Sequence, residues 1–135
     1  SVKMAQAVKE TKEEKFSSDR ILDLYANLTI EIWEIVSALI GEAILSFLFA
    51  LAIRKIGEKY PFLNSLKVSE EGISLDEVRK DCRKMAPLEI HRGFQSLINQ
   101  LSHRVATLTE GVINKELLPK VLPKVREAER MISQK

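Results

Sequence analysis

Four side chains hold most of the chemistry this 135-residue chain could offer: His91, His103, Cys82 and Glu42. Two histidines bind a metal together only if both reach one point, and these stand twelve residues apart, on different faces of one expected helix. The sequence has no glycine-rich phosphate loop, no His-Glu-x-x-His and no paired cysteines, so neither a metal nor a cofactor is expected. Cys82 shares an apolar stripe with Leu75, Val78 and Met85, where a thiol acts as a small buried hydrophobe. Glu42 stands where a two-faced helix becomes apolar. If buried it needs a cation, with Arg54, Arg92 and Arg104 as candidates, and the arrangement reads as a structural ion pair, not a general acid. No catalytic residue is expected in this set.

The element that must position these groups covers residues 30–56, IEIWEIVSALIGEAILSFLFALAIRKI. Upstream, Ile21, Tyr25, Leu28, Ile32, Val36, Leu39 and Ala43 follow one another in steps of 4, 3, 4, 4, 3 and 4, a helical period. From Ala43 to Ile53 the sequence is apolar on every side, so protein or lipid should wrap it. A bilayer span needs about 20 apolar residues, and no run here is that long. We therefore expect the central helix of a bundle, unbroken to Lys59 or bent near Thr29 or Gly41, and stopped at Tyr60-Pro61. Ser17, Ser18 and Asp19 supply capping oxygens just before the apolar period. Residues 1–16 then form a flexible or helical leader, and 17–135 a single domain.

Beyond Pro61, Phe62, Leu63 and Leu66 are expected to fold back onto the bundle. Residues 67–74 read as a loop, with a small hairpin around Glu70-Glu71-Gly72 as the alternative. Ser74-Leu75-Asp76-Glu77 has the form of a capping box and should open a short helix over 75–85. A second long helix, 87–116, turns Ile90, Phe94, Leu97, Leu101, Val105, Leu108 and Val112 inward, widened by Ile98. It repeats the steps of the first, which makes the two natural antiparallel or intermolecular neighbours. The repeat Leu118-Pro119-Lys120-Val121 and Leu122-Pro123-Lys124-Val125 follows. A proline inside a helix costs about 3 kcal/mol. The last helix is therefore expected to begin at Pro119 or Pro123 and to pack Val125, Ala128 and Ile132. The fold class is all-α: a bundle of two long amphipathic helices (19–59 and 87–116), one short helix and a C-terminal helix over 120–133.

With 45% hydrophobic and 30% charged residues the composition is globular, and one cysteine cannot form an internal disulfide. A cytoplasmic location without a membrane span is the expectation. A net charge of +2 gives no reason to expect nucleic acid. Charge is distributed unevenly, at −4 over residues 21–53 and +2 over 116–135, so the acidic helix and the basic tail should attract each other. Two helices of about 45 to 60 Å carry more apolar length than one short helix and a tail can cover. A homodimer would bury the remainder, with Leu97, Leu101, Val105, Leu108 and Val112 as the expected interface. The function expected is a non-enzymatic protein-interaction module. The alternative is a sensor holding a small apolar ligand in the bundle core, lined by Trp33, Phe47, Phe49 and Phe94.

One short segment adds a second alternative. Leu101-Ser102-His103-Arg104-Val105 resembles the phosphoacceptor box of one group of bacterial sensor histidine kinases, in which Ser/Asn-His-Arg-Val opens a helical hairpin. The resemblance implies a phosphotransfer and dimerisation domain with His103 as phosphoacceptor, on a polar face shared with Arg92, Ser96, Asn99, Thr107 and Glu110. It departs at Ala106-Thr107, where that family continues with Lys-Asn. More broadly, a long acidic helix, a Glu-Glu-Gly loop and a heptad-like helix ending in a basic tail are similar to helical sensory or dimerisation modules of prokaryotic signalling proteins. That resemblance implies a homodimeric regulatory domain.

Overall fold

At Gly41 the chain takes φ 89° and ψ 152°, a conformation that side chains with a Cβ rarely adopt. Helix α1 (Val2–Ile40) ends on one side of it and α2 (Glu42–Ile56) starts on the other, so a single residue makes the turn. The two helices then run back along each other. Trp33, eight residues before Gly41, meets Phe49, eight residues after it, with ring centroids 5.8 Å apart. This computed structural model describes residues 2–109 and 114–133, with side chains over 18–109 and 117–133. The helix that could have run unbroken to Lys59 is thus a hairpin, bent at Gly41 and not at Thr29. Buried Thr29 instead donates its hydroxyl to the Tyr25 carbonyl one turn earlier, at 2.7 Å.

A 3-10 turn (Pro61–Ser65) follows and folds Phe62 and Leu63 into the core, with Leu66 just beyond it. Residues 67–74 form a hairpin, contrary to the loop expected. Strands β1 (Lys67–Ser69) and β2 (Gly72–Ser74) pair antiparallel, Lys67 with Ser74, Val68 with Ile73 and Ser69 with Gly72. Gly72, just after the two-residue turn Glu70-Glu71, takes φ 137°, a conformation that side chains with a Cβ rarely adopt, and Val68 and Ile73 pack half-buried against the core. Because Ser74 is held in this ladder, Leu75 takes the cap position of the short helix α3 (Asp76–Cys82) and no side-chain cap bond forms. The expected capping box is therefore not used. The inner face of α3 is as the spacing predicts, with Leu75, Val78 and Cys82 buried and Met85 half-buried.

Helix α4 (Pro87–Thr109) buries Ile90, Phe94, Leu97, Ile98, Leu101 and Val105. It lies parallel to α1, not antiparallel. The Ser18 hydroxyl donates to the Met85 carbonyl at 2.9 Å, and the Tyr25 hydroxyl meets His91, which keeps nearly the same sequence offset along both helices. The returning helix α2 supplies the physical reason, since it occupies the antiparallel position. Residues 17–19 lie inside α1, which begins at Val2, so no helix starts there; Ser18 serves as a tie to the start of α4.

Helix α5 (Asn114–Ser133) contains both Pro119 and Pro123, where a helix start at one of them was expected. The two prolines lie four residues apart on the exposed side of the helix, so water can solvate the carbonyls whose amide partners are missing. On the opposite side Leu117, Val121 and Ala128 are buried, with Val125 and Ile132 half-buried. Burying a leucine or valine contributes about 1.5 to 3 kcal/mol, comparable to the cost of one proline. Lys120 reaches Glu31 at 3.8 Å and Glu129 lies near Tyr25, so α5 runs antiparallel to α1 and the basic tail does meet the acidic helix within the chain. In chain order α1, α2, α4 and α5 run up, down, up and down. α1 and α4 form the central pair, and α2 and α5 each lie against both. Among the described residues, no helix is long and apolar enough to cross a membrane.

Candidate functional site

The residues singled out by type separate in space. His91 is buried between α1 and α4, and its Nδ1 lies 2.6 Å from the Tyr25 hydroxyl. Burial pushes the Tyr25 phenol well above its usual range, with nearby Glu129 adding to the effect. Burial also lowers His91; Glu129 opposes that shift and Arg92 reinforces it. A neutral phenol donating to a neutral imidazole satisfies both groups. Tyr25 stacks on Phe94 at 5.3 Å, and Phe62 tilts against Phe94 at 5.9 Å. This sealed cluster holds the lower half of the bundle. No spacing rule drew attention to the Tyr25–His91 pair, because its members lie 66 residues apart. Cys82 is buried as expected, its thiol pushed up to about 12 by burial first and then by Asp81 and Glu89.

The expected ligand pocket does not assemble. Trp33 and Phe49 pack against each other, Phe94 belongs to the tyrosine stack, and Phe47 faces outward. Three of the four are ordinary core. Glu42 is exposed at the start of α2 and so needs no buried partner. Leu97, Leu101 and Val105 are covered by this chain's own helices, which leaves them no free surface for a second copy. Leu108, on the same stripe, is exposed, and Val112 lies outside the described residues.

Exposed apolar surface collects at the Gly41 end. Leu39 is 59% exposed, Ile44 48%, Phe47 62% and Leu108 52%, all far above the level of core residues. Helix α2 buries Leu45, Phe49 and Ala52 on one side only. Its outward side presents Ala43, Ile44, Phe47, Ala50 and half-buried Leu51, apolar over about two and a half turns. Arg54 stands at the end of this outward side; Glu42, exposed at the helix start, lies about 140° round the helix from Phe47. The all-round apolar character of 43–53 was legible in the sequence; what was not legible is that the helix sits at the edge of the bundle and not at its centre.

Beside this surface, α2 and α4 enclose an open cleft of about 740 Å³. Lys55 enters it from α2, and Gln100, His103, Arg104 and Thr107 from α4, with Leu48 and Leu108 at one end. His103 is exposed, on a face with Arg92, Asn99 and Thr107; Glu110 lies outside the described residues. His91 and His103 are not brought together. Comparison with protein-family models, with curated proteins and with solved structures found no match.

Proposed function

We propose that this chain is a non-enzymatic interaction module that assembles as a homodimer through the outward side of α2, in a regulatory role. The observation that carries this reading is a helix surface apolar over about two and a half turns, Ala43 to Leu51. Monomeric proteins seldom leave so continuous an apolar surface in water. Two copies of α2 placed antiparallel about a two-fold axis cover each other's Ile44, Phe47 and Leu51. An apolar surface that covers itself when repeated about a two-fold axis is what a two-fold interface requires. The α4 residues expected to form the interface are replaced in this reading by α2, with Leu108 at its edge.

Sedimentation equilibrium tests the proposal. The full chain is expected at dimer mass, and Phe47→Glu at monomer mass with an unchanged helical spectrum, since Phe47 makes little contact with its own core. A wild-type chain that stays monomeric at high concentration, or a Phe47→Glu variant that dimerises as tightly as the parent, would overturn it.

A further inference from the structure

We infer that the cleft between α2 and α4 binds an amphiphilic anion, a single carboxylate or phosphate head on an apolar body. Two cationic side chains, Lys55 and Arg104, and the His103 imidazole converge there from two helices, and no acid among the described residues lines the cleft. None of the three has a side-chain hydrogen bond or ion pair among the described residues, and Arg104 Nε is buried without a partner. An anion in the cleft would give the outer guanidinium nitrogens of Arg104 and the Lys55 ammonium charge-assisted partners. Gln100 adds an amide from the same helix.

The apolar half of the ligand follows from the other end of the cleft. Leu48 and half-exposed Leu108 face each other across it, one α2 turn from exposed Ile44. From Gln100 to Leu108 the cleft floor follows eight residues of α4, about 12 Å at 1.5 Å per residue. The head therefore sits among the cations, and a medium-length chain runs toward Leu108 and the Gly41 end. A volume near 740 Å³ falls in the range of small-molecule sites. The inference does not depend on the dimer, because Lys55 and Leu48 lie on the α4 side of α2, away from Phe47 and Arg54.

Isothermal titration of the full chain with decanoate below its micelle concentration, with decanol and with inorganic phosphate tests this. Decanoate should bind with one saturable site per chain, at least tenfold tighter than either decanol or phosphate. Lys55→Ala and Arg104→Gln should each weaken decanoate about tenfold, and Phe47→Glu should leave it unchanged. The absence of saturable decanoate binding would overturn the inference. So would equal binding of decanol, equal binding of phosphate, or wild-type affinity in both cleft variants. Loss of binding in Phe47→Glu alone would place the ligand on the outward side of α2, which also overturns it.

Discussion

The two ends of this bundle are built from the same stripes and finish differently. On α1 the stripe runs Ile21, Tyr25, Leu28, Ile32, Val36 and then Leu39; on α4 it runs Ile90, Phe94, Leu97, Leu101, Val105 and then Leu108. All but the last member of each is buried. At the lower end the 3-10 turn and α3 pack against the long helices and close the core over Phe62, Phe94 and the Tyr25–His91 pair. At the upper end a one-residue turn joins α1 to α2, and among the described residues Leu39, Ile44, Phe47 and Leu108 stay exposed. Helical period therefore marks which residues could be covered. Whether they are covered depends on which connecting segments reach that end.

The largest expected contrast comes from truncating one aromatic at each end. Phe94→Ala should cost about 3 to 5 kcal/mol in urea unfolding, because it empties the centre of a three-ring cluster. Phe47→Ala, at a dilution where the chain is monomeric, should change stability by less than about 0.5 kcal/mol. Equal costs would erase the distinction between a closed and an open end.

Two glycines sharpen it next. A Cβ on Gly93 would stand 2.5 Å from Phe62 Cζ, so Gly93→Ala should cost about 1 to 3 kcal/mol by overpacking. Gly41 has nothing within 4 Å of a Cβ, yet Gly41→Ala should cost about as much, roughly 1 to 3 kcal/mol, through its φ of 89° alone. Thermal melts of the two variants measure this. If the Gly41 variant matches the parent, the turn does not hold the observed backbone.

Burial holds His91 below the ordinary histidine value, and this contributes a pH dependence confined to the closed end. The unfolded chain takes up the proton first as pH falls. Stability from this group is therefore complete above about pH 6.5 and declines below it, until the lowered folded-state value has been passed. His91→Gln should flatten that slope in pH-dependent urea melts. An unaltered slope would show that His91 is not the group responsible.

The smallest effect belongs to the link between tail and acidic helix. Lys120→Ala removes the half-exposed pair with Glu31 and should cost under about 1 kcal/mol, less still in high salt.

Much of this was legible from spacing alone: the core faces of both long helices, the inner face of α3, the fold-back of Phe62, Leu63 and Leu66, and a contact between the basic tail and Glu31. The misreadings share a physical origin. Gly41 as a complete reversal, and α5 running through two prolines, depend on tertiary cover that offsets local cost. The hairpin at 67–74 and the unused Ser74 cap depend on which neighbour claims a backbone group first. The Tyr25–His91 pair and the cationic cleft join residues from separate helices, which one-dimensional periodicity does not register. Burial of Leu97, Leu101 and Val105 within the chain shows why a stripe is not yet an interface.

The central claim is that two copies meet along the outward side of α2, and a charge placed in the middle of that side tests it most directly. Ala50→Glu is predicted to raise the dimer dissociation constant at least about tenfold in sedimentation equilibrium, because the dimer would bury an unpaired charge. Leu122→Glu, on the exposed side of α5, is predicted to leave the parental constant unchanged. An Ala50→Glu variant that dimerises like the parent, or a Leu122→Glu variant weakened as much, would contradict it.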